Sequence, residues 1–177
     1  IDDRQARMAL LAQLRNNLRG AAQVLRAFCA DLRPPSLAAF GLEKAIRSHV
    51  EQIGMSHPEL RCSMELMPDG QTLTVETRMG LFRIYQELMT NIIRHSGATE
   101  VGIRLTLDEA QVELEVQDNG RGFTPPSHWI ELAHQDHFGL VGVQERASAV
   151  GGRVILRSQH GEGTLVRVVI PVQSEPD

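Results

Sequence analysis

Residues 85–123 read YQELMTNIIRHSGATEVGIRLTLDEAQVELEVQDNGRGF, and the change of period inside this stretch decides the fold. Up to His95, the apolar residues Tyr85, Leu88, Met89, Ile92 and Ile93, with Phe82 upstream, recur at steps of three and four. That spacing predicts a helix from about Glu76 to His95 with one apolar face. From Val101 the period drops to two. Val101, Ile103, Leu105 and Leu107 alternate with polar residues, as do Val112, Leu114 and Val116. Asp108-Glu109 sits between the two runs, so they read as an antiparallel hairpin.

Toward the C-terminus, Thr124 to Phe138 is irregular and holds Pro125-Pro126 and three histidines. Loops of such length inside a domain are usually functional or disordered. A helix is expected from about Leu140 to Val150, stopped by Gly151-Gly152. Strands around Val154–Ser158 and Leu165–Ile170 follow, joined by a glycine turn at Gly161–Gly163. Toward the N-terminus, Leu60, Cys62, Met64 and Leu66 alternate as a strand before a Pro68-Asp69-Gly70 turn. Leu42, Ala45, Ile46, His49, Val50 and Ile53 share one helical face, with Gly54 as the expected stop. Before that, Leu11, Leu14, Leu18, Ala21, Leu25, Phe28 and Leu32 form a heptad seam. It is read as a coiled-coil or bundle helix ending at Pro34-Pro35. The fold class expected is α+β, a two-layer α/β sandwich preceded by a long heptad helix, with residues 1–35 and 36–174 as separate domains.

The 177 residues include 42% apolar and 23% charged residues and carry a formal net charge of −4. This is a globular composition with no electrostatic case for nucleic acid. No run approaches the roughly 18 apolar residues of a bilayer span. Cys29 and Cys62 lack metal spacing and read as reduced thiols of a cytosolic domain. The chain starts at Ile1, and it is read as a piece of a longer protein whose membrane anchor, if any, lies upstream.

Four stretches carry candidate chemistry. Glu87, Asn91 and His95 are spaced i, i+4, i+8 and share a helix face. Asn91 offers a neutral carbonyl oxygen to Mg²⁺, Glu87 can hold a metal-bound water or act as a base, and His95 can donate to a phosphate. The same face also reads as an ordinary solvated one. Asp118-Asn119-Gly120-Arg121-Gly122 follows a strand. Asp118 can accept the amino group of an adenine, and the glycines let a flat ligand approach the backbone. Asp-Asn-Gly is equally a turn sequence. Gly139-Leu140-Val141-Gly142-Val143 opens a helix, where free N–H groups and the dipole favour an anion; a simple loop-to-helix junction explains it too. Gly161-Glu162-Gly163-Thr164 is a tight turn whose Thr164 hydroxyl can reach a nucleotide base. A metal site at His128, His134 and His137 is weakly supported, since no cysteine or carboxylate pattern accompanies it.

Together, in this order and spacing, the four stretches resemble the N box and glycine boxes of the ATPase superfamily of gyrase, a heat-shock chaperone, histidine kinases and mismatch-repair proteins. Within it, the chain is most similar to nitrate-sensor-like and desaturase-regulator-like sensor histidine kinases. Asp31-Leu32-Arg33-Pro34 and Gly41-Leu42 look like the joint between their dimerisation and ATPase domains. The resemblance spans about Leu18 to Pro171 and implies the Bergerat ATP-binding fold, with ATP and Mg²⁺ as cofactors. It implies Asn91 as the Mg²⁺ ligand, Asp118 as the adenine contact, and Glu87 and His95 as residues assisting phosphate chemistry. Gly120, Gly122, Gly139, Leu140, Gly142, Val143 and Thr164 would shape the nucleotide pocket, and Thr124–Phe138, containing Trp129, would be its lid.

The implied activity is transfer of the ATP γ-phosphoryl group to a histidine, then relay to an aspartate of a response-regulator receiver domain, in a homodimer. None of the seven histidines has the Glu-Leu-His-Asp-like context of the family's acceptor. The heptad helix is therefore read as the second dimerisation helix, and the fragment as lacking its own acceptor. Rival readings are an anti-sigma-factor kinase-like interaction module, disfavoured by the heptad helix, and a degenerate ATP-binding sensor, disfavoured by Glu87, Asn91 and Asp118.

Overall fold

The computed structural model describes residues 37, 40–70, 72–125 and 138–172. The heptad helix, the Asp31–Pro34 joint, and the lid between Pro125 and Phe138, with Trp129 and its three histidines, lie outside them.

The period-two runs form the sheet. Strands β1 (Arg61–Leu66), β2 (Glu100–Leu107), β3 (Gln111–Asp118), β4 (Arg153–Gln159) and β5 (Gly163–Pro171) lie in the order β1-β2-β3-β5-β4. Only β1–β2 is parallel. The expected hairpin is β2–β3, and Asp108 Oδ1 closes its turn by accepting the N–H groups of Ala110 and Gln111, each at 2.8 Å.

Alternation divides the sheet into two faces. Val101, Ile103 and Leu105 on β2, Val112, Leu114 and Val116 on β3, and Val166, Val168 and Ile170 on β5 are all buried. Three helices cover them: α1 (Leu42–Ser56), α2 (Val75–Asn91) and α3 (Phe138–Ala149). The architecture is the two-layer α/β sandwich expected. The opposite face carries charge. Glu65, Arg104, Glu115 and Arg167 are direct cross-strand neighbours in one row. Arg104 Nε meets Glu65 at 2.8 Å and Arg167 Nε meets Glu115 at 2.7 Å.

Helix boundaries differ from expectation in three places. Gly54 does not stop α1, which continues to Ser56. Its backbone stays helical, and Ser56 Oγ bonds back to the Gln52 carbonyl at 3.1 Å. The helix capped by Thr74 turns from α to π geometry after Asn91, over Ile92–Ser96, and ends at Gly97 with φ 67°. Finally, α3 starts at Phe138, two residues early.

The N-terminus of α1 has no local side-chain cap. Asp69, from the β1–α2 connection, supplies one by accepting the Leu42 N–H at 3.1 Å. Its other oxygen lies 2.6 Å from Arg78 Nε at the start of α2, and both side chains are nearly enclosed. Gly41 is required here: its φ is 88°, and a Cβ would overlap the Asp69 carboxylate.

Candidate functional site

A cleft of about 330 Å³ opens between α2 and the sheet, bounded by the first turn of α3. Leu88 and Ile92 of α2 and the π turn, Val116 and Val166 of the sheet, Phe123 and Leu140 give it apolar walls. Asn91, His95, Asp118, Arg121 and Thr164 supply the polar groups.

Asp118 ends β3 and is 5% exposed. Its Oδ1 accepts the Gly120 N–H at 2.7 Å. Burial pushes its carboxyl above the usual aspartate range, while backbone N–H groups of Gly120 and Thr164 pull it back. The carboxylate is thus fixed in place and only partly compensated, a condition that favours a donor arriving from the cleft.

The glycines after Asp118 are there because the chain is pinned on both sides. Arg121 N–H bonds the Ser96 carbonyl at 2.9 Å, and Gly161 N–H bonds the Arg121 carbonyl at 2.7 Å. A Cβ at Gly120 would lie 2.6 Å from the Ser96 oxygen, and Gly122, at φ 56°, would drive one into the Gln159 carbonyl. Asn119 is a structural tie: its Oδ1 accepts the Thr99 and Glu100 N–H groups at 2.9 and 3.0 Å.

Across the cleft, the π turn widens the helix between Asn91 and His95, and both still line the cavity. Glu87 does not line it; its carboxylate abuts Gly139 together with the Asn91 amide, and a Cβ at Gly139 would strike both. Helix α3 therefore docks on α2 through bare backbone beside a carboxylate and a carboxamide.

The Gly139–Val143 stretch divides. Gly139 and Leu140 line the cleft, and in the first turn of α3 their N–H groups have no helical partner. Gly142 and Val143 correct the expectation. With the helix starting at Phe138, the Gly142 N–H falls inside the helical ladder, and a Cβ there would meet Arg146. Val143 is fully buried in the core.

Thr164 lines the cleft directly opposite Asp118 on β5. Sequence reasoning missed Ser158, whose hydroxyl bonds Thr164, Gly163 and Phe123, and Arg121, whose side chain lines the cleft. Ser158 shares the parity of Val154 and Leu156 on β4, which puts it on the inner face, but no local pattern ties it to Thr164. Among the described residues no cluster of three His, Cys, Asp or Glu side chains could hold a metal, and no helix is long and apolar enough to cross a membrane.

The family model described as "Histidine kinase-, DNA gyrase B-, and HSP90-like ATPase" matches residues 76–174. The chain is 32% identical over 152 residues to the histidine-protein kinase/phosphatase UhpB of Salmonella typhimurium, covering 86% of this chain and 29% of that protein. It is 31% identical over 160 residues to the sensor histidine kinase LiaS of Bacillus subtilis, covering 90% and 42%. The chain thus spans less than half the length of these relatives. Among solved structures, the histidine kinase domain of the Erythrobacter litoralis blue-light activated kinase superposes with a TM-score of 0.61 at 20% identity, covering 74% of this chain and 61% of that one. The ATP-binding domain of PrrB from Mycobacterium tuberculosis gives 0.55 at 25% identity, covering 70% and 88%.

Proposed function

Because the chain belongs to the histidine kinase-, DNA gyrase B- and HSP90-like ATPase family, we propose that its cleft binds ATP as the catalytic part of a two-component sensor histidine kinase. The observation that carries this reading is the enclosed Asp118 carboxylate in an apolar-walled slot that Asn91 also lines. An acceptor-only group in such a slot suits an adenine amino group. Thr164 adds a second polar group beside it, and Gly120 and Gly122 allow the base close to the backbone.

The free N–H groups of Gly139 and Leu140 suit phosphate oxygens, and His95 and Arg121 at the rim add donors. The residues also fit a hydrated Mg²⁺. Asn91 and Glu87 are hard oxygen donors on one helix, Asn91 lining the cleft and Glu87 packed beside it against the Gly139 backbone. Asn91 would hold the cation and Glu87 a water on it or a proton in transit. Bound Mg²⁺ would neutralise phosphate charge, the main requirement of phosphoryl transfer. On this reading the γ-phosphoryl group goes to a histidine of a dimerisation helix and then to a receiver-domain aspartate of a response regulator. The full protein would act as a homodimer, with this domain on the cytoplasmic side.

Titration calorimetry of the 177-residue chain tests the reading. ATP with Mg²⁺ is expected to bind, and GTP roughly tenfold or more weakly, because its ring carbonyl opposes Asp118. No heat with ATP, or equal affinities, would overturn it.

A further inference from the structure

Ser158, on β4, makes three hydrogen bonds through one oxygen. Its hydroxyl donates to the Gly163 carbonyl at 2.9 Å, accepts the Phe123 N–H at 2.9 Å and lies 2.9 Å from the Thr164 hydroxyl. A serine hydroxyl has one proton and two lone pairs. A carbonyl only accepts and an amide N–H only donates. The proton therefore goes to Gly163 and one lone pair to Phe123. The second lone pair is used only if Thr164 is the donor, and that is the one assignment satisfying all three contacts together.

This fixes what Thr164 can offer to the cleft. With its proton held by Ser158, its hydroxyl presents lone pairs alone. Ser158, Thr164 and Asp118 are consecutive cross-strand partners in one row across β4, β5 and β3. Asp118, when ionised, is also acceptor-only. Two neighbouring groups at the end of the cleft then accept, and neither donates.

We propose that Ser158 is a positioning residue for base specificity: by holding the Thr164 proton it makes this end of the cleft an all-acceptor wall, selecting purines with an amino group at C6 over those with a carbonyl there. The proposal rests on the nucleotide-binding reading above. Ser158 does not itself line the cleft and acts through Thr164.

The test is ADP against inosine diphosphate, which carries a carbonyl at C6 and a proton on N1, measured calorimetrically on the whole chain. Ser158→Ala releases the Thr164 proton to the cleft, where it can meet a carbonyl. The preference for ADP should fall roughly tenfold, the worth of about one hydrogen bond. Ser158→Thr keeps the oxygen and should restore the preference. Thr164→Val leaves Ser158 in place and should lower the preference by itself; Ser158→Ala added to it should change nothing further. A purely structural role would lower the melting temperature and both affinities together, leaving their ratio intact. An unchanged ratio in Ser158→Ala or in Thr164→Val, or a further fall in the double variant, overturns the proposal while ADP still binds. Failure of wild type to bind ADP overturns the nucleotide reading itself.

Discussion

A nearly enclosed carboxylate at the base of a cleft titrates differently from one in water, and at Asp118 the sign can be worked out. Burial raises its pKa, so folding favours the protonated form. Asp118 contributes most to stability in acid, and that contribution is lost as pH rises through the raised pKa. Binding runs the other way, because protonation turns an accepting carboxylate oxygen into a donor that opposes the amino group. ATP affinity is therefore expected to decline on acidification at a higher pH than an ordinary aspartate would cause. Asp118→Asn should weaken ATP by about 1–3 kcal/mol and remove that acid limb, without loss of stability at neutral pH; calorimetry across pH together with urea melts checks all three. Asn91→Ala should weaken ATP with Mg²⁺ and spare ADP without metal; collapse of metal-free ADP binding would mean that Asn91 supports the fold instead. Asp118 was legible in the sequence because a carboxylate followed by spaced glycines at a strand end is a local pattern. Ser158 was not, since its bond to Phe123 spans 35 residues and no local spacing records it.

Elements were legible where period and length agreed. The hairpin and α2 came from unbroken periods, and each buries the face its pattern names. The errors sit at ends, where single residues compete with packing. Gly54 has helical backbone because an exposed glycine lowers helix stability without forbidding it. The π turn is invisible to a pattern of period 3.6, since one extra residue in a turn leaves Ile92 and Ile93 apolar either way. The start of α3 moved Gly139 into the first helical turn, against Glu87 and Asn91. That position separates two effects. Gly139→Ala should favour the helix by up to about 1 kcal/mol from propensity, but its methyl group must displace the two side chains. Nucleotide affinity is expected to fall about tenfold or more while the melting temperature falls little, as read by calorimetry and thermal unfolding of the same sample. A matching loss of both would show that the clash disrupts packing of α2 on α3 rather than the site.

At the scale of the molecule, the joint between α1 and α2 rests on Asp69 and Arg78, 4% and 8% exposed. Arg78→Met leaves Asp69 enclosed with the Leu42 N–H but no countercharge. Breaking such a pair costs about 3–5 kcal/mol, so the unfolding free energy from urea melts should fall by about that much, and a fall of only a few tenths of a kcal/mol would show that water reaches the pair. The sandwich itself was legible from composition and period; this joint was not, because Pro68-Asp69-Gly70 reads as a plain turn and no local spacing links it to Arg78 in the helix that follows. The outer face of the sheet has a further consequence. Glu65, Arg104, Glu115 and Arg167 alternate in sign along one row, so the row carries no net charge and exerts little long-range repulsion. What it does is hold water: a second sheet laid on it would have to strip hydration from Glu65, Arg104 and Arg167, while Glu115 is already enclosed between its two arginines. Colloidal behaviour is then governed by hydration at close range rather than by the field of the molecule, and Arg104→Leu with Glu65→Leu should make light scattering climb more steeply with concentration than in the unsubstituted chain, at an unchanged melting temperature.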